Sequence, residues 1–145
     1  RFNYHIGIDP IAILRALYVY IVFNKYQGAS TIEQQFIRTV TNRYERTKKR
    51  KMRELWLALL LCFYIKDKYA IARCYIHIAF YGSGLEGINN FLKRKTLNIK
   101  EMTDRDMLYL VSRLKYPEPL KYSKAWDYKI NARIKYIKKR YNKYS

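Results

Sequence analysis

The chain has 145 residues, half of them hydrophobic, and a formal net charge of +19 at pH 7 from 30 Lys and Arg against 11 Asp and Glu. This hydrophobic content excludes an intrinsically disordered chain, and the length is sufficient for one domain with a hydrophobic core. The excess of positive charge predicts a polyanionic partner, which is nucleic acid, an anionic membrane surface or a phosphorylated substrate.

Residues that interrupt helices are scarce, with five Gly and three Pro, and no stretch alternates as a strand does. We therefore predict an all-α fold. Cys62 and Cys74 lie in apolar helical contexts, so we expect two small buried side chains and no metal site. The chain has no initiator Met, and we expect it to be an excerpt of a longer protein.

The first 26 residues begin with a polar and aromatic segment, 1–7, in which we expect His5 to have a packing role. From residue 8 to 24 the chain is apolar nearly all round, and Pro10 suits a first helical turn. Such a helix is either buried or dipped into a lipid interface. Both this segment and 55–65 fall short of the roughly 20 apolar residues that span a bilayer.

The central stretch, 28–54, opens with Ser30 and Glu33 at the spacing of a capping box, which predicts a helix from Thr31. Residues three and four apart share a helix face. The polar face of the first helix, 31–44, then holds Thr31, Gln34, Gln35 and Arg38, whereas Ile32, Phe36, Ile37 and Val40 are expected to enter the core.

A second helix is predicted at 48–65, with Arg50, Lys51 and Glu54 on one face. Its apolar side is expected to consist of Met52, Leu55, Trp56, Leu59 and Leu60. We predict that the polar faces of these two helices line one cleft suited to an anionic substrate.

The remaining chain predicts four more helices. The first, 67–81, should turn Ile71, Cys74, Tyr75 and Ile78 inward before a break at 82–84. A short helix at 85–92 is followed by a basic turn at 93–95. Thr103 and Asp106 resemble a capping box, and Pro117 and Pro119 end the helix that it starts. The last helix, about 125–144, is basic with interleaved Tyr.

Several of these stretches follow one another in a fixed order: Phe2-x-x-His5-x-Gly7, Gly28-Ala29-Ser30-Thr31-Ile32-Glu33-Gln34-Gln35, Arg50-Lys51-Met52-Arg53-Glu54, Lys68-x-x-Ile71-x-x-x-Tyr75-x-His77 and, weakly, Ala132-Arg133-x-x-x-Ile137. Together they resemble the motifs of the peptidoglycan glycosyltransferase family. This is glycosyltransferase family 51, the transglycosylase domain of class A penicillin-binding proteins and of monofunctional transglycosylases. The second and third stretches are similar to Gly-x-Ser-Thr-x-x-Gln-Gln and Arg-Lys-x-x-Glu in residues, spacing and order.

The resemblance implies a lysozyme-like, all-α glycosyltransferase domain over residues 1–145, with a membrane-associated jaw at about 8–26. The implied activity is polymerisation of a lipid-pyrophosphate-linked saccharide, of the peptidoglycan lipid II type, with release of polyprenyl pyrophosphate. The implied location is the outer face of a bacterial inner membrane. The implied partners are the lipid-linked saccharide, the anionic membrane and other cell-wall synthesis proteins, but no nucleic acid.

The resemblance also implies the site. Glu54 corresponds to the family's second essential carboxylate, and the general-base Glu would lie three residues before Arg1. A divalent ion, Mg²⁺ or Mn²⁺, is expected near Glu54, and no other cofactor. The implied substrate-binding residues are Phe2, His5, Ser30, Thr31, Gln34, Gln35, Arg38, Arg50, Lys51 and Lys68.

The sequence departs from the family pattern at four positions. His77 stands where the fourth motif ends in Asn, and Ala72 where it has Leu. Phe63 aligns with a position that is commonly acidic, and Arg38 with one that is often Lys. These departures indicate a divergent member whose substrate can differ from the standard one.

Three other functions stay open. A degenerate relative would bind lipid-linked glycan or a cell-wall partner without catalysis. A helical nucleic-acid-binding protein is favoured by charge and interleaved Tyr alone. A lysozyme-like muramidase would need an acidic residue near the leaving oxygen. Taken singly, a pair such as Arg50 and Glu54 is usually a solvated ion pair, but the ordered set favours the glycosyltransferase.

Overall fold

The structure is a computed structural model that describes residues 2–144, without the side chains of Asn3, Lys143 and Tyr144. The described chain contains seven α-helices, two short 3-10 helices and no strand, which confirms the all-α prediction. It divides into two compact units, Arg1–Ile76 and His77–Ser145. The helices are α1 (Pro10–Phe23), α2 (Ile32–Val40), α3 (Lys48–Tyr64), α4 (Lys68–Ile78), α5 (Gly87–Lys95), α6 (Asp104–Arg113) and α7 (Lys124–Tyr144), and the 3-10 helices are Phe2–Tyr4 and Ile99–Glu101.

Helix α1 forms where the sequence predicts it. Asp9 caps it by accepting a hydrogen bond from the Ala12 amide at 2.9 Å, and Pro10 occupies its first turn. Ala12 is its buried residue, whereas Ile21 is 71% exposed. The helix is therefore an exposed apolar element. No helix between residues 2 and 144 has the length and apolar content needed to cross a bilayer.

Helix α2 buries its polar side, so two predictions about it are wrong. Thr31, not Ser30, caps the helix, because its hydroxyl accepts from the Gln34 amide. Glu33 therefore takes no part in a capping box, and its side chain is fully buried. The buried residues of α2 are Glu33 and Gln34, while Val40, expected in the core, is 58% exposed. The polar side turns inward because its partners lie on the segment 2–7, α3 and α4.

Helix α3 also differs from its predicted orientation. Its buried residues are Glu54 and Ala58, whereas Met52 and Trp56 are 66% and 63% exposed. The small Ala58 allows a close approach of the backbone at Gly7, where a Cβ would lie 2.6 Å from the Ala58 carbonyl oxygen. The ion pairs of Glu54 and this contact decide which side of α3 faces inward, and the large apolar side chains lie outside.

Helix α4 buries Ile71 and Tyr75, as predicted, because residues four apart lie on one face. Cys74 and Ile78 are exposed, so their predicted burial is wrong, and Cys62 on α3 is half-buried. The helix ends at Ile78, before the predicted end at residue 81.

The second unit places α5 slightly later than predicted, so its basic residues 93–95 form the last helical turn, where cations suit the helix dipole. The capping box of Thr103 and Asp106 is confirmed at the start of α6. Helix α6 ends at Arg113, before the two prolines predicted to end it. The buried apolar side chains of this unit include Tyr81, Leu85, Ile88, Phe91, Leu110, Trp126 and Ile130.

Arg113 belongs to this second core although the sequence gives no local sign of it. It is 2% exposed, and its guanidinium lies 4.6 Å from the ring centre of Tyr109 and 5.2 Å from that of Phe91. Its Nη2 donates to Glu118 Oε2 at 2.9 Å. The carboxylate and the aromatic faces compensate the buried charge.

Thr103→Ala is expected to lower the free energy of unfolding by about 1 kcal/mol, because it removes an N-cap hydroxyl. Thr103→Ser keeps that hydroxyl and serves as the matched control. Urea unfolding followed by circular dichroism measures both. Equal stabilities of the Ala variant and the wild type would contradict the assignment of this cap.

Candidate active site

The carboxylate of Glu54 is the centre of a buried ion cluster. Its side chain is 3% exposed. Arg38 donates to both oxygens through Nε and Nη2, each at 3.0 Å, and Lys51 Nζ donates to Oε1 at 2.6 Å. Arg50 Nη1 is a third close donor, to Oε2. One negative charge is thus shared among three positive ones.

The helix spacing explains how these groups meet. Arg50 and Lys51 precede Glu54 by four and three residues on α3, so the three side chains share a face. Arg38 reaches the same carboxylate from the last turn of α2. This confirms that the polar faces of the two helices meet.

Lys51 also connects the start of α2 to α3. Its Nζ donates to Gln34 Oε1 at 2.7 Å and to Ser30 Oγ at 3.0 Å. Ser30, Gln34 and Lys51, predicted together as substrate-binding residues, are therefore one hydrogen-bonded group.

Glu54 is an anion in this setting. Burial alone would raise the pKa of its carboxyl group, but the hydrogen bonds from Arg38 and Lys51 hold that pKa below its usual value. Because cationic donors contact both of its oxygens, the ionised carboxylate of Glu54 holds those cations in place. It is poorly suited to accept a proton. The interpretation of Arg50 and Glu54 as a solvated surface pair is wrong, because both side chains are buried for the most part.

A pocket of about 400 Å³ opens beside this cluster. It combines an apolar wall with several guanidinium groups. Its lining residues are Ile37, Arg38, Thr41, Arg43, Arg50, Arg53, Glu54, Trp56 and Leu57. Sequence reasoning did not assign Arg43, Arg53 or Trp56 to the site, although Arg53 lies inside the third motif. Guanidinium groups bind phosphate oxygens bidentately, so the pocket suits a ligand with an anionic head and an apolar part.

A second group of predicted site residues gathers at Lys68. Its Nζ donates to the carbonyl oxygens of Phe2 and His5 and lies 3.3 Å from His5 Nδ1. It also lies 5.0 Å from the centre of the Phe2 ring and 3.3 Å from Glu33 Oε1. His5 is therefore part of a polar network, which goes beyond the packing role expected from the sequence. Sequence reasoning missed Glu33, which it assigned to a helix cap.

Thr31 and Gln34 make internal contacts. Thr31 Oγ1 and Gln34 Nε2 both donate to the Gly7 carbonyl oxygen, at 2.7 and 3.0 Å. Gln35 Oε1 accepts from the Tyr75 hydroxyl at 3.0 Å. These bonds fix the segment 2–7 and α4 to α2, and a substrate-binding role for the three residues stays a prediction.

The divergent positions Phe63 and His77 are both exposed, Phe63 at 73%. Phe63 lies on α3 in the first unit and His77 in the second. His77 is thus a histidine on a helix surface, as the sequence favours.

The residues around Glu54 do not fit a divalent cation. Both carboxylate oxygens accept hydrogen bonds from basic side chains. Among the residues that the structure describes, no group of three or more His, Cys, Asp or Glu side chains could hold a metal. The Mg²⁺ or Mn²⁺ ion stays a prediction, and the phosphate oxygens of a substrate would have to supply its ligands.

The sequence profile of the family described as Transglycosylase matches residues 1–142. The chain belongs to the transglycosylase family. The family predicted from the motifs is thus confirmed, and the all-α architecture agrees with its lysozyme-like fold.

Curated relatives of this transglycosylase chain include penicillin-binding proteins. It is 40% identical to penicillin-binding protein 1A of Aquifex aeolicus over 89 residues, 61% of this chain and 12% of the relative. It is 31% identical to penicillin-binding protein 1B of Vibrio cholerae over 132 residues, 84% of this chain and 17% of the relative. Penicillin-binding protein 1A of Rickettsia typhi is 26% identical over 145 residues, 94% of this chain and 18% of the relative. The chain therefore spans less than a fifth of these relatives.

Glu54→Gln is expected to lower the free energy of unfolding at pH 7 by about 3 kcal/mol, because it leaves three cations without their buried counter-ion. The folded pKa of Glu54 lies below the unfolded value, near 4.3. Its stabilising contribution is therefore present above that pH and lost as the pH falls through the folded pKa. Wild-type stability should thus fall more steeply below about pH 4.5 than that of the variant.

Urea unfolding followed by circular dichroism between pH 3 and 7 measures this difference. Glu45→Gln, at an exposed position of the same unit, is the matched control and should resemble the wild type. Parallel pH curves for wild type and Glu54→Gln would refute the buried ion cluster.

Proposed function

We propose that this chain is a membrane-associated glycosyltransferase that polymerises a lipid-pyrophosphate-linked saccharide, of the peptidoglycan lipid II type, into glycan strands. The observation that carries the proposal is the cluster of Arg38, Arg50 and Lys51 on Glu54, beside a pocket with an apolar wall. Membership of the transglycosylase family supports the same reaction.

The reaction needs a base at the attacking hydroxyl group of the acceptor and positive charge at the pyrophosphate that leaves the donor. The 4-hydroxyl oxygen of the acceptor sugar bonds to the anomeric carbon of the donor, while the bond from that carbon to the pyrophosphate breaks. The hydroxyl proton passes to a base, for which the resemblance provides a Glu upstream of Arg1. The departing polyprenyl pyrophosphate gains negative charge, which cations fixed in advance stabilise.

The cluster supplies that charge. Arg38, Arg50 and Lys51 carry three positive charges against the single charge of Glu54, so two remain. Arg43 and Arg53 add further guanidinium groups at the pocket. Glu54 acts as a positioning residue that holds Arg38, Arg50 and Lys51 in one place.

The apolar wall of the pocket suits the other part of the donor. Ile37, Trp56 and Leu57 lie next to the guanidinium groups. A lipid pyrophosphate has its hydrocarbon chain directly attached to the charged head, so a pocket with both characters side by side fits it better than it fits a free nucleotide or sugar.

Membrane contact is proposed separately for each unit. In the first, the exposed apolar surface of α1, with Leu14 65% exposed, and the side of α3 that carries Trp56 suit a lipid interface. In the second, α7 has a basic surface suited to anionic lipid headgroups. The bilayer face would be the outer face of a bacterial inner membrane, where other cell-wall synthesis proteins are expected partners.

Lys51→Gln in the full-length natural protein is expected to reduce polymerisation of a lipid-linked precursor about a hundredfold, because a charge at the leaving group is lost. Lys49→Gln removes a charge from an exposed position of the same helix and should retain activity. Glycan chain length and yield on gels measure both, with thermal melts to verify folding. Equal activities would refute the role of Lys51. A wild-type protein that binds the donor without polymerising it would favour the degenerate relative.

Binding to vesicles of anionic lipid is expected to weaken as salt rises. Exchange of Lys135, Lys138 and Lys139 for Gln should weaken it about a hundredfold at low salt, since each cation near an anionic leaflet contributes about 1 kcal/mol.

Leu14→Gln should weaken binding to the same vesicles at every salt concentration, because the contact of α1 is apolar. Vesicle co-sedimentation measures both, and binding that ignores salt would contradict the proposal for α7.

A further inference from the structure

We propose that Glu33 is a positioning residue of this site: its buried carboxylate holds Lys68 against the backbone of residues 2–7 and so fixes His5 in one orientation and one hydrogen-bonding state. The second motif leaves position 33 open, so the resemblance assigns no role to this residue. The consequence for catalysis rests on the proposed function, but the geometry of Glu33 does not.

The carboxylate of Glu33 is enclosed by four parts of the first unit. Its side chain is fully buried in the first turn of α2. Lys68 Nζ, from the start of α4, lies 3.3 Å from its Oε1, and His5 Nδ1 lies 4.0 Å from the same atom. Cys62 of α3 also borders it, since burial first and Glu33 second raise the pKa of that thiol.

Lys68 needs a negative charge at this place. Its side chain is 14% exposed, and its other partners are uncharged: two backbone carbonyl oxygens and a ring nitrogen of His5. Neutral acceptors satisfy its N–H groups but do not neutralise it, and an unpaired buried charge is strongly destabilising. Among the described residues, Glu33 is the carboxylate that forms an ion pair with Lys68.

This arrangement determines which nitrogen of His5 can donate. An ammonium group at 3.3 Å from Nδ1 makes that nitrogen the acceptor, so the ring proton lies on Nε2. Burial lowers the pKa of His5, and the charge of Lys68 lowers it further, while Glu33 and Asp9 oppose this effect. His5 is therefore a neutral imidazole with Nε2–H as its donor.

The same pair fixes the segment that leads into the site. Lys68 binds the carbonyl oxygens of Phe2 and His5, while Thr31 and Gln34 bind that of Gly7. In the proposed enzyme the general-base Glu would lie three residues before Arg1, on the N-terminal side of this segment. A shift of Lys68 would therefore displace His5 and the start of the segment 2–7.

An NMR titration of the two histidines tests the proposal without any activity assay. In Glu33→Gln the ammonium group of Lys68 is expected to leave His5 Nδ1, so the pKa of His5 should rise toward its ordinary value near 6.5 although a neighbouring negative charge is lost. Loss of the Glu33 charge alone, with Lys68 still in place, would give the opposite shift, a fall below the wild-type value. His77 is the internal control, and Glu45→Gln is the matched control for net charge.

A pKa of His5 that stays constant or falls in Glu33→Gln would show that Lys68 keeps its place without Glu33, and would overturn the proposal. The nitrogen shifts of His5 should also show Nδ1 unprotonated in the wild type, and a protonated Nδ1 would overturn it equally. Lys68→Met removes the opposing charge and should raise the pKa of His5.

Cys62 provides an independent measurement through alkylation by iodoacetamide. In Glu33→Gln the reaction of Cys62 should accelerate, because a lower thiol pKa yields more thiolate at a given pH. The exposed Cys74 should react at its wild-type rate. Unchanged rates at Cys62 would contradict a carboxylate beside its thiol.

If Glu33→Gln does not fold, the double variant Glu33→Gln with Lys68→Met keeps the proposal testable. It removes both charges of the pair, so its melting temperature should exceed that of either single variant. Additive losses of melting temperature would overturn the pairing.

In the full-length natural protein, Glu33→Gln is expected to reduce kcat for polymerisation about tenfold with little change in KM for the donor. An inactive wild type with the expected His5 titration would refute the proposed function and leave the role of Glu33 intact. An active wild type in which Glu33→Gln retains full kcat would overturn the catalytic consequence of this residue.

Discussion

The burial of the polar side of α2 is the constraint on which the first unit depends. Glu33 and Gln34 lie inside, and each has a partner from elsewhere: Lys68 forms an ion pair with Glu33, while Lys51 and the Gly7 carbonyl form hydrogen bonds with Gln34. Buried polar groups are destabilising unless such partners are present. The positions of α3, α4 and the segment 2–7 are therefore set by the same few side chains. A polar interior of this kind specifies geometry more strictly than an apolar one, since each hydrogen bond fixes a direction as well as a distance.

The inward polar side has a consequence for the outer surface. When α2 and α3 meet through Arg38, Lys51 and Glu54, the large apolar side chains of α3 lie on the outside, with Trp56 63% exposed. In water such exposure loses the free energy that burial would provide, about 25 cal/mol per Å² of apolar surface. A lipid interface and a hydrocarbon substrate would recover it. The polar interior and the apolar exterior of this unit are therefore two results of one arrangement, and both suit the proposed use of a lipid-linked substrate.

Local sequence signals predicted the elements well. Pro10 marks the start of α1, Thr103 and Asp106 mark that of α6, and the spacing of Arg50 and Glu54 places both on one face of α3. Periodicity could not predict which face turns inward, because it shows which residues share a side and not where that side packs. The usual assumption that the apolar face is buried was wrong for α2 and α3. The pairing of Glu33 with Lys68 joins residues 35 apart in the sequence, and no local pattern contains it.

The two buried carboxylates of the first unit, Glu54 and Glu33, differ in the number of basic side chains that contact them. This difference gives them different roles. Glu54 is shared by three basic side chains, so the cluster keeps a positive excess that an anionic ligand can use. Glu33 pairs with Lys68, so that pair is neutral as a whole and has little attraction for an anion. The pair of Glu33 and Lys68 instead fixes the positions of the groups that Lys68 binds, which are the carbonyl oxygens of Phe2 and His5 and the His5 ring. The residues around Glu54 are therefore suited to attract an anionic ligand, whereas those around Glu33 are suited to hold other groups in position. In the sequence both residues are simply glutamates in a helix.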